Sequence, residues 1–242
     1  MDTLVVGASG ATGRLLVAQL LEREHNVKVI VRSPEKLPKA LRQHKNLSLT
    51  QASPLDLSDA ELVQHVSGCD AVASCLGHNL TLKGLYAQPR KLVTETTRRL
   101  CHAIKANTPA KPVKFVLMNT AGNSNRDLDE PVSQGQRVVV TLLRHLLPPH
   151  ADNEAAADYL RTEIGQNNKA TEWVAVRPDN LTDEANVSAY ELHPSPTRSA
   201  IFNAGQTSRI NVAHFMAELM TDEAIWRQWK GQMPVIYNKR LA

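Results

Sequence analysis

Thr3-Leu4-Val5-Val6-Gly7-Ala8-Ser9-Gly10-Ala11-Thr12-Gly13-Arg14 is the stretch that decides how this chain is read. An apolar, β-prone run enters three glycines spaced G-x-x-G-x-x-G, and a helical pattern (Leu15, Leu16, Ala18, Leu20, Leu21) follows at once. Strand, glycine turn and helix in that order are the context that a dinucleotide-binding fingerprint requires. Glycines let the backbone turn tightly and come close to a pyrophosphate. The helix N-terminus adds unpaired N–H groups and the positive end of its dipole. The common spacing is G-x-G-x-x-G; here Ser9 stands at the second glycine position and Gly10 follows it. Gly7, Ser9, Gly10, Ala11, Thr12, Gly13 and Arg14 form the candidate cradle.

Outward from this turn, strands and helices alternate. The run 27–32 predicts a second strand, and Ser33-Pro34-Glu35 a helix start with Ser33 as N-cap and Pro34 in the first position. The run 47–51 alternates as a third strand. Ser58-Asp59-Ala60-Glu61 is a capping box that opens a helix stopped by Gly68. Further strands are expected at 71–76, 113–118 and 172–176, the last stopped by Arg177-Pro178, with helices at about 90–107, 134–147 and 153–165. Crossovers of this length predict an α/β fold, a Rossmann-type doubly wound parallel sheet with helices on both faces. After Pro178 the pattern turns polar and loop-like to about residue 209, then gives helices near 212–221 and 222–229 and a last strand at 235–237. The reading is one domain over 1–242, with a core at about 1–178 and a small irregular substrate cover at 179–242.

Composition narrows the function. Hydrophobic residues make up 42% of 242, enough for a substantial core. No run reaches the roughly 18 apolar residues of a membrane span, and Asp2 followed by a strand argues against a signal peptide. The three cysteines, Cys69, Cys75 and Cys101, form no C-x-x-C pair, so neither a disulfide framework nor a metal site is expected, and a reducing cytoplasm is. A formal charge of +4 favours anionic small molecules but is too small and dispersed for nucleic acid; Arg98-Arg99 reads as a solvated face. The apolar run 138–147 reads as a buried or interfacial helix, compatible with a monomer, a homodimer or a protein partner.

The end of the second strand meets the adenosine ribose in this fold. Arg32 stands there, nineteen residues after Gly13, and a guanidinium suits a 2′-phosphate where a carboxylate would repel it, so NADP(H) is expected over NAD(H). Arg14 assists from the helix start or is an ordinary helix residue. Asp56, beside Leu57 after the third strand, is placed to accept from the adenine amino group or is a plain turn aspartate.

The turn Gly7–Arg14, Arg32-Ser33-Pro34, Asp56-Leu57, Leu76-Gly77 and Trp173-Val174-Ala175-Val176-Arg177-Pro178 occur in order. Together they resemble the atypical short-chain dehydrogenase/reductases with NAD(P)H-binding, NmrA-like domains, the biliverdin reductase B-like group. The resemblance covers about residues 1–178 and extends to Ser208–Ala213. It implies a Rossmann fold with NADPH held also by Leu76, Gly77 and Thr120, and it implies turnover less firmly, since the group includes reductases, epimerase-like proteins and regulators.

Most short-chain reductases use Tyr-x-x-x-Lys, in which the lysine lowers the pKa of the proton-donating tyrosine. Here Tyr86, Tyr159 and Tyr190 are followed four residues on by Arg90, Glu163 and Pro194. A carboxylate at 163 disfavours the phenolate, so Tyr159 reads as structural or substrate-facing. Thr120, ending the fifth strand, holds the position of the family's catalytic Ser/Thr. His78, directly after Gly77, is a candidate general acid or a polar loop histidine. Asp152 or Asn153 reads as a helix cap, and Asp179 and Asn180 as pocket-lining or turn residues. Three functions remain: an NADPH-dependent oxidoreductase passing hydride to a small carbonyl, quinone or similar acceptor; a non-catalytic NADP(H) sensor acting through a protein partner; and an epimerase or dehydratase on a nucleotide sugar.

Overall fold

A strand-order reversal beside the first strand sets the position of everything that follows. In the computed structural model, residues 1–78, 90–130, 135, 139–142 and 147–239 are described. The main sheet runs β3(Leu47–Gln51)-β2(Asn26–Val31)-β1(Asp2–Val6)-β4(Ala71–Ser74)-β5(Val113–Met118)-β6(Thr171–Pro178)-β10(Val235–Asn238)-β8(Tyr190–His193). Every pairing is parallel except β10 with β8. The chain winds outward from β1 to β3, then returns to β4 on the other side, which opens a crevice at the carboxyl ends of β1 and β4. The expected doubly wound sheet is therefore present.

Strands covered on both faces read as unbroken apolar runs, and Leu4, Val5 and Val6 are all fully buried. On one face α1 (Ala11–Glu22) packs beside a late helix, Arg209–Thr221, over Val5, Val29 and Val174. On the other, α3 (Asp59–Val66), α4 (Leu92–Ala106) and α5 (Pro148–Tyr159) cover Leu4, Phe115 and Trp173. Among the described residues no helix is long and apolar enough to cross a membrane.

Four boundaries differ from the sequence reading. The helix expected from Ser33 is a 3-10 turn, Pro34–Lys36, and a short α2, Lys39–Arg42, because Pro38 interrupts it. α5 begins at Pro148, five residues before the expected start, with prolines pre-set for its first turn. β6 runs through Arg177 to Pro178, where proline is tolerated at a strand end. The loop-like 179–209 stretch contains β7 (Asn180–Thr182) and β9 (Gln206–Ser208), which pair with each other in a separate two-stranded sheet, and β8 on the sheet edge. Of the helix expected at 134–147, residues 135 and 139–142 are helical; Pro148 already belongs to α5, and 134, 136–138 and 143–146 lie outside the described residues, as does Tyr86.

Candidate functional site

Close backbone approach, more than flexibility, fixes the first and third glycines of the turn. Gly7 sits at φ +76°, and a Cβ there would lie 2.5 Å from the carbonyl carbon and oxygen of Cys75 and 2.7 Å from the nitrogen of Leu76. A Cβ at Gly13 would collide with the carbonyl oxygen of Gly7. These two positions press the β1 turn onto both the β4 exit and the start of α1. Gly10 is the N-cap of α1, and no side chain caps the helix. The first N–H groups of α1 have no partners within the helix, which makes its exposed start a place for an anion. Ser9 is half-buried and Ala11 exposed on this turn, while Thr12 is buried.

Across the crevice, β4 runs out through Cys75, Leu76 and Gly77 to His78. Gly77 is exposed, and a Cβ there would meet nothing within 4 Å. His78 behaves differently. Its Nε2 lies 2.7 Å from Asp152 Oδ2, and the two side chains are 5% and 1% exposed. The same carboxylate accepts the backbone N–H groups of Val93 (2.8 Å) and Thr94 (3.0 Å), at the first turn of α4. The α4 N-cap, Lys91, supplies no side-chain bond. Asp152, five residues into α5, therefore caps a different helix from the one the sequence suggested, and it gathers the β4 exit onto the same carboxylate. An ionised carboxylate only accepts, so His78 Nε2 carries the donated hydrogen.

The β5 exit is held as firmly. Asn119 donates through Nδ2 to the Asn153 carbonyl (2.8 Å), and its Oδ1 accepts from the Thr120 N–H (2.9 Å) and Asn123 Nδ2 (2.6 Å). Thr120 Oγ1 accepts the Gly122 N–H at 3.2 Å, which leaves its own hydroxyl hydrogen free to point elsewhere. His150 comes near this edge, its Cε1 3.6 Å from where a Cβ of Gly122 would sit. Asn119 was not foreseen; an asparagine at a strand end carries no local signal of such a role.

At the far end of the crevice Arg32 follows β2 directly. Arg14 and Arg32 are exposed, and neither has an ion-pair partner among the described residues. Asp56 is exposed in the turn after β3, its N–H bonded to the Ser53 carbonyl at 3.0 Å. Leu57 packs its side chain into the core, and its carbonyl accepts from Arg99.

The remaining sequence candidates lie apart. Tyr159 sits about 10 Å along α5 from Asp152, packed in the core layer that holds Cys101. Burial first, then the neighbouring Cys101, pushes its phenol up to about 12; Arg98 opposes this and Glu163 adds to it. Asp179 directly follows β6, its Oδ2 accepting the Gly205 N–H at 2.7 Å, and burial raises its pKa against the backbone N–H bonds of Gly205 and Asn180. Asn180 is exposed in β7. Arg177, read as a strand stop, is fully buried and paired with Glu130 at 2.7 Å; it also donates to the carbonyls of Met233, Asn123 and Pro194. It ties the segment after β5 to the late segment of the chain.

A family model described as NAD(P)H-binding matches residues 7–223. No curated protein matches the sequence. Solved structures share the fold at low identity. An anaerobillin reductase from Escherichia coli is 14% identical with a TM-score of 0.69, covering 100% of this chain and 99% of that one. A short-chain dehydrogenase/reductase from Veillonella parvula, solved in complex with NADP, is 14% identical with a TM-score of 0.69 over 98% and 94% of the two chains. An oxidoreductase from Lactococcus lactis is 17% identical with a TM-score of 0.69 over 100% and 93%.

Proposed function

The chain belongs to the NAD(P)H-binding family, and from that premise we propose that it is an NADPH-dependent oxidoreductase that passes hydride to a small carbonyl, quinone or similar acceptor. The observation that carries this reading is the uncapped start of α1 facing a β4 exit whose histidine is fixed by a buried carboxylate. When bound, the reduced cofactor supplies the hydride. The glycine turn and the first N–H groups of α1 would hold its pyrophosphate, Asp56 and Leu57 its adenine, and Leu76, Gly77 and Thr120 the nicotinamide side.

Arg32 and Arg14 put at the ribose end two positive charges with no ion-pair partner among the described residues, and a planar guanidinium takes a phosphate through two parallel hydrogen bonds. The Tyr159 phenol, deep at the end of α5 and held neutral, is poorly placed to give a proton. His78 takes that part. With the Nε2–H committed to Asp152, His78 can deliver a proton to an acceptor oxygen only as the imidazolium, from Nδ1–H, and is left as the neutral Nε2–H tautomer. The Thr120 hydroxyl can donate to the same oxygen or to the nicotinamide amide.

Calorimetric titration with NADPH and NADH, repeated on Arg32→Asp, tests the cofactor choice. The wild type is expected to prefer NADPH, and Arg32→Asp to weaken NADPH by about tenfold or more, the loss of one charged phosphate contact. Preference of the wild type for NADH would refute the role of Arg32. NADPH consumption across an acceptor panel tests turnover. Tight binding with no turnover would support the second reading, a nucleotide sensor acting through a protein partner, which the placement of Tyr159 also favours.

A further inference from the structure

We propose that Arg99 is a positioning residue for the nucleotide: from α4 it sets the shape of the loop that presents Asp56 and Leu57, so the adenine half of the site depends on a side chain behind it. This role rests on the dinucleotide reading above.

The guanidinium is fully committed. NH1 donates to the carbonyls of Pro54 (3.1 Å) and Leu55 (3.0 Å). NH2 donates to the Leu57 carbonyl (2.5 Å) and to Asp59 Oδ1 (2.8 Å), and Nε reaches the same oxygen at 3.2 Å. Those bonds use all of the donors a guanidinium has. Its rigid fork matches three carbonyls of one loop in a way that the three rotating hydrogens of a lysine do not. The ion pair itself carries little, because Asp59 is 90% exposed while Arg99 is 21% exposed. The carbonyl contacts are the substance of the clamp, and the reading of Arg98-Arg99 as a solvated pair holds only for Arg98, which is paired with Glu95 on the surface.

Other bonds hold the ends of the loop. Ser53 closes a turn onto Leu55 and Asp56. The reciprocal Ser58–Glu61 box fixes the start of α3. Between them, among the described residues, the guanidinium alone ties the backbone of residues 54–57 to α4 by hydrogen bonds. Asp56 is exposed and makes no side-chain bond to a described residue, so the backbone beneath it sets the direction of its carboxylate. A loop already ordered before binding spares the ligand that ordering cost, and the affinity is higher for it.

The test compares NADPH with adenosine 2′,5′-diphosphate, which carries only the adenine half, by calorimetric titration of the wild type, Arg99→Met and Arg99→Lys. Arg99→Met is expected to weaken both ligands by the same factor, about tenfold, while kcat at saturating NADPH stays within about twofold. Arg99→Lys, which keeps the charge and loses the fork, is expected to fall between. If Arg99→Met does not fold, Arg99→Lys decides: weaker binding with a native thermal transition supports the clamp, and wild-type binding overturns it. An unchanged affinity of folded Arg99→Met for adenosine 2′,5′-diphosphate also overturns it. Wild-type protein that binds neither NADPH nor NADH would instead overturn the cofactor reading itself.

Discussion

Replacing Asp152 by alanine removes the acceptor of three hydrogen bonds at once, from His78 Nε2, the Val93 N–H and the Thr94 N–H. Val93 and Asp152 are buried, the His78 side chain is 5% exposed and Thr94 is half-buried, so two of the three stranded donors regain little water. An unsatisfied buried donor costs roughly 1–3 kcal/mol. Water reaching the Thr94 end trims the sum, and the expected loss is about 3–5 kcal/mol. Asparagine is gentler. With its oxygen toward Val93 and His78, its amide faces the Thr94 N–H, a single donor–donor conflict worth about 1–3 kcal/mol. The opposite rotamer faces the Val93 N–H and is worse. Urea unfolding followed by far-UV circular dichroism gives the order wild type, Asp152→Asn, Asp152→Ala. At a slope of about 3 kcal/mol/M the alanine variant should lose about 1 M or more in midpoint. An alanine variant within about 0.5 kcal/mol of wild type would refute the reasoning, since the carboxylate would then not be the cap of α4.

Two further outcomes test local features. Burial lowers the pKa of His214, opposed by Glu218 and helped by Arg23. A histidine with a lower pKa folded than unfolded binds fewer protons in the native state, so its contribution is full above about pH 6.5 and is lost as pH falls toward its folded value. Stability should therefore decline on acidification below that point, and His214→Gln should flatten the decline measured by thermal melts across that range; an unchanged slope would count against it. Thr108 holds φ at +43°, a left-handed conformation that a β-branched residue before proline rarely adopts. Thr108→Gly relieves about 1–2 kcal/mol of strain and costs roughly 0.5–1 in chain entropy, so a net gain of up to about 1.5 kcal/mol in urea unfolding is expected; a loss would mean the threonine is not strained.

What the sequence conveyed follows from range. The glycine turn, the Ser58–Glu61 box and the buried strands depend on neighbours a few residues away, and period and turn chemistry make them legible. Asp152 does its work 59 residues from Val93 and 74 from His78, where no local pattern reaches. Arg177 shows the same limit: beside Pro178 it looks like a strand stop, yet its partners lie 47 and 56 residues away, at Glu130 and Met233. The strands β8 and β9 escaped for another reason. They are short and polar, and only pairing with distant chain makes them strands.

α4 brings these distant contacts into one argument. Its first turn is capped by the carboxylate that holds His78, and about 9 Å further along its axis Arg99 grips the loop carrying Asp56. Its inward face, Val93, Thr97, Leu100 and Ile104, is buried against the sheet, so the helix is seated between the two grips. The proton-bearing end of the proposed site and its adenine end are thus fixed to the same rigid element, and neither is fixed by a side chain of the glycine turn. A tyrosine–lysine pair on α5 would set the catalytic end from one helix; here the placement passes through Asp152 to α4. Mutations along α4 are therefore expected to act on cofactor geometry without touching the cofactor, whereas substitutions at Gly7 or Gly13 force the backbone of the turn and the β4 exit apart and act on the fold as well as on binding.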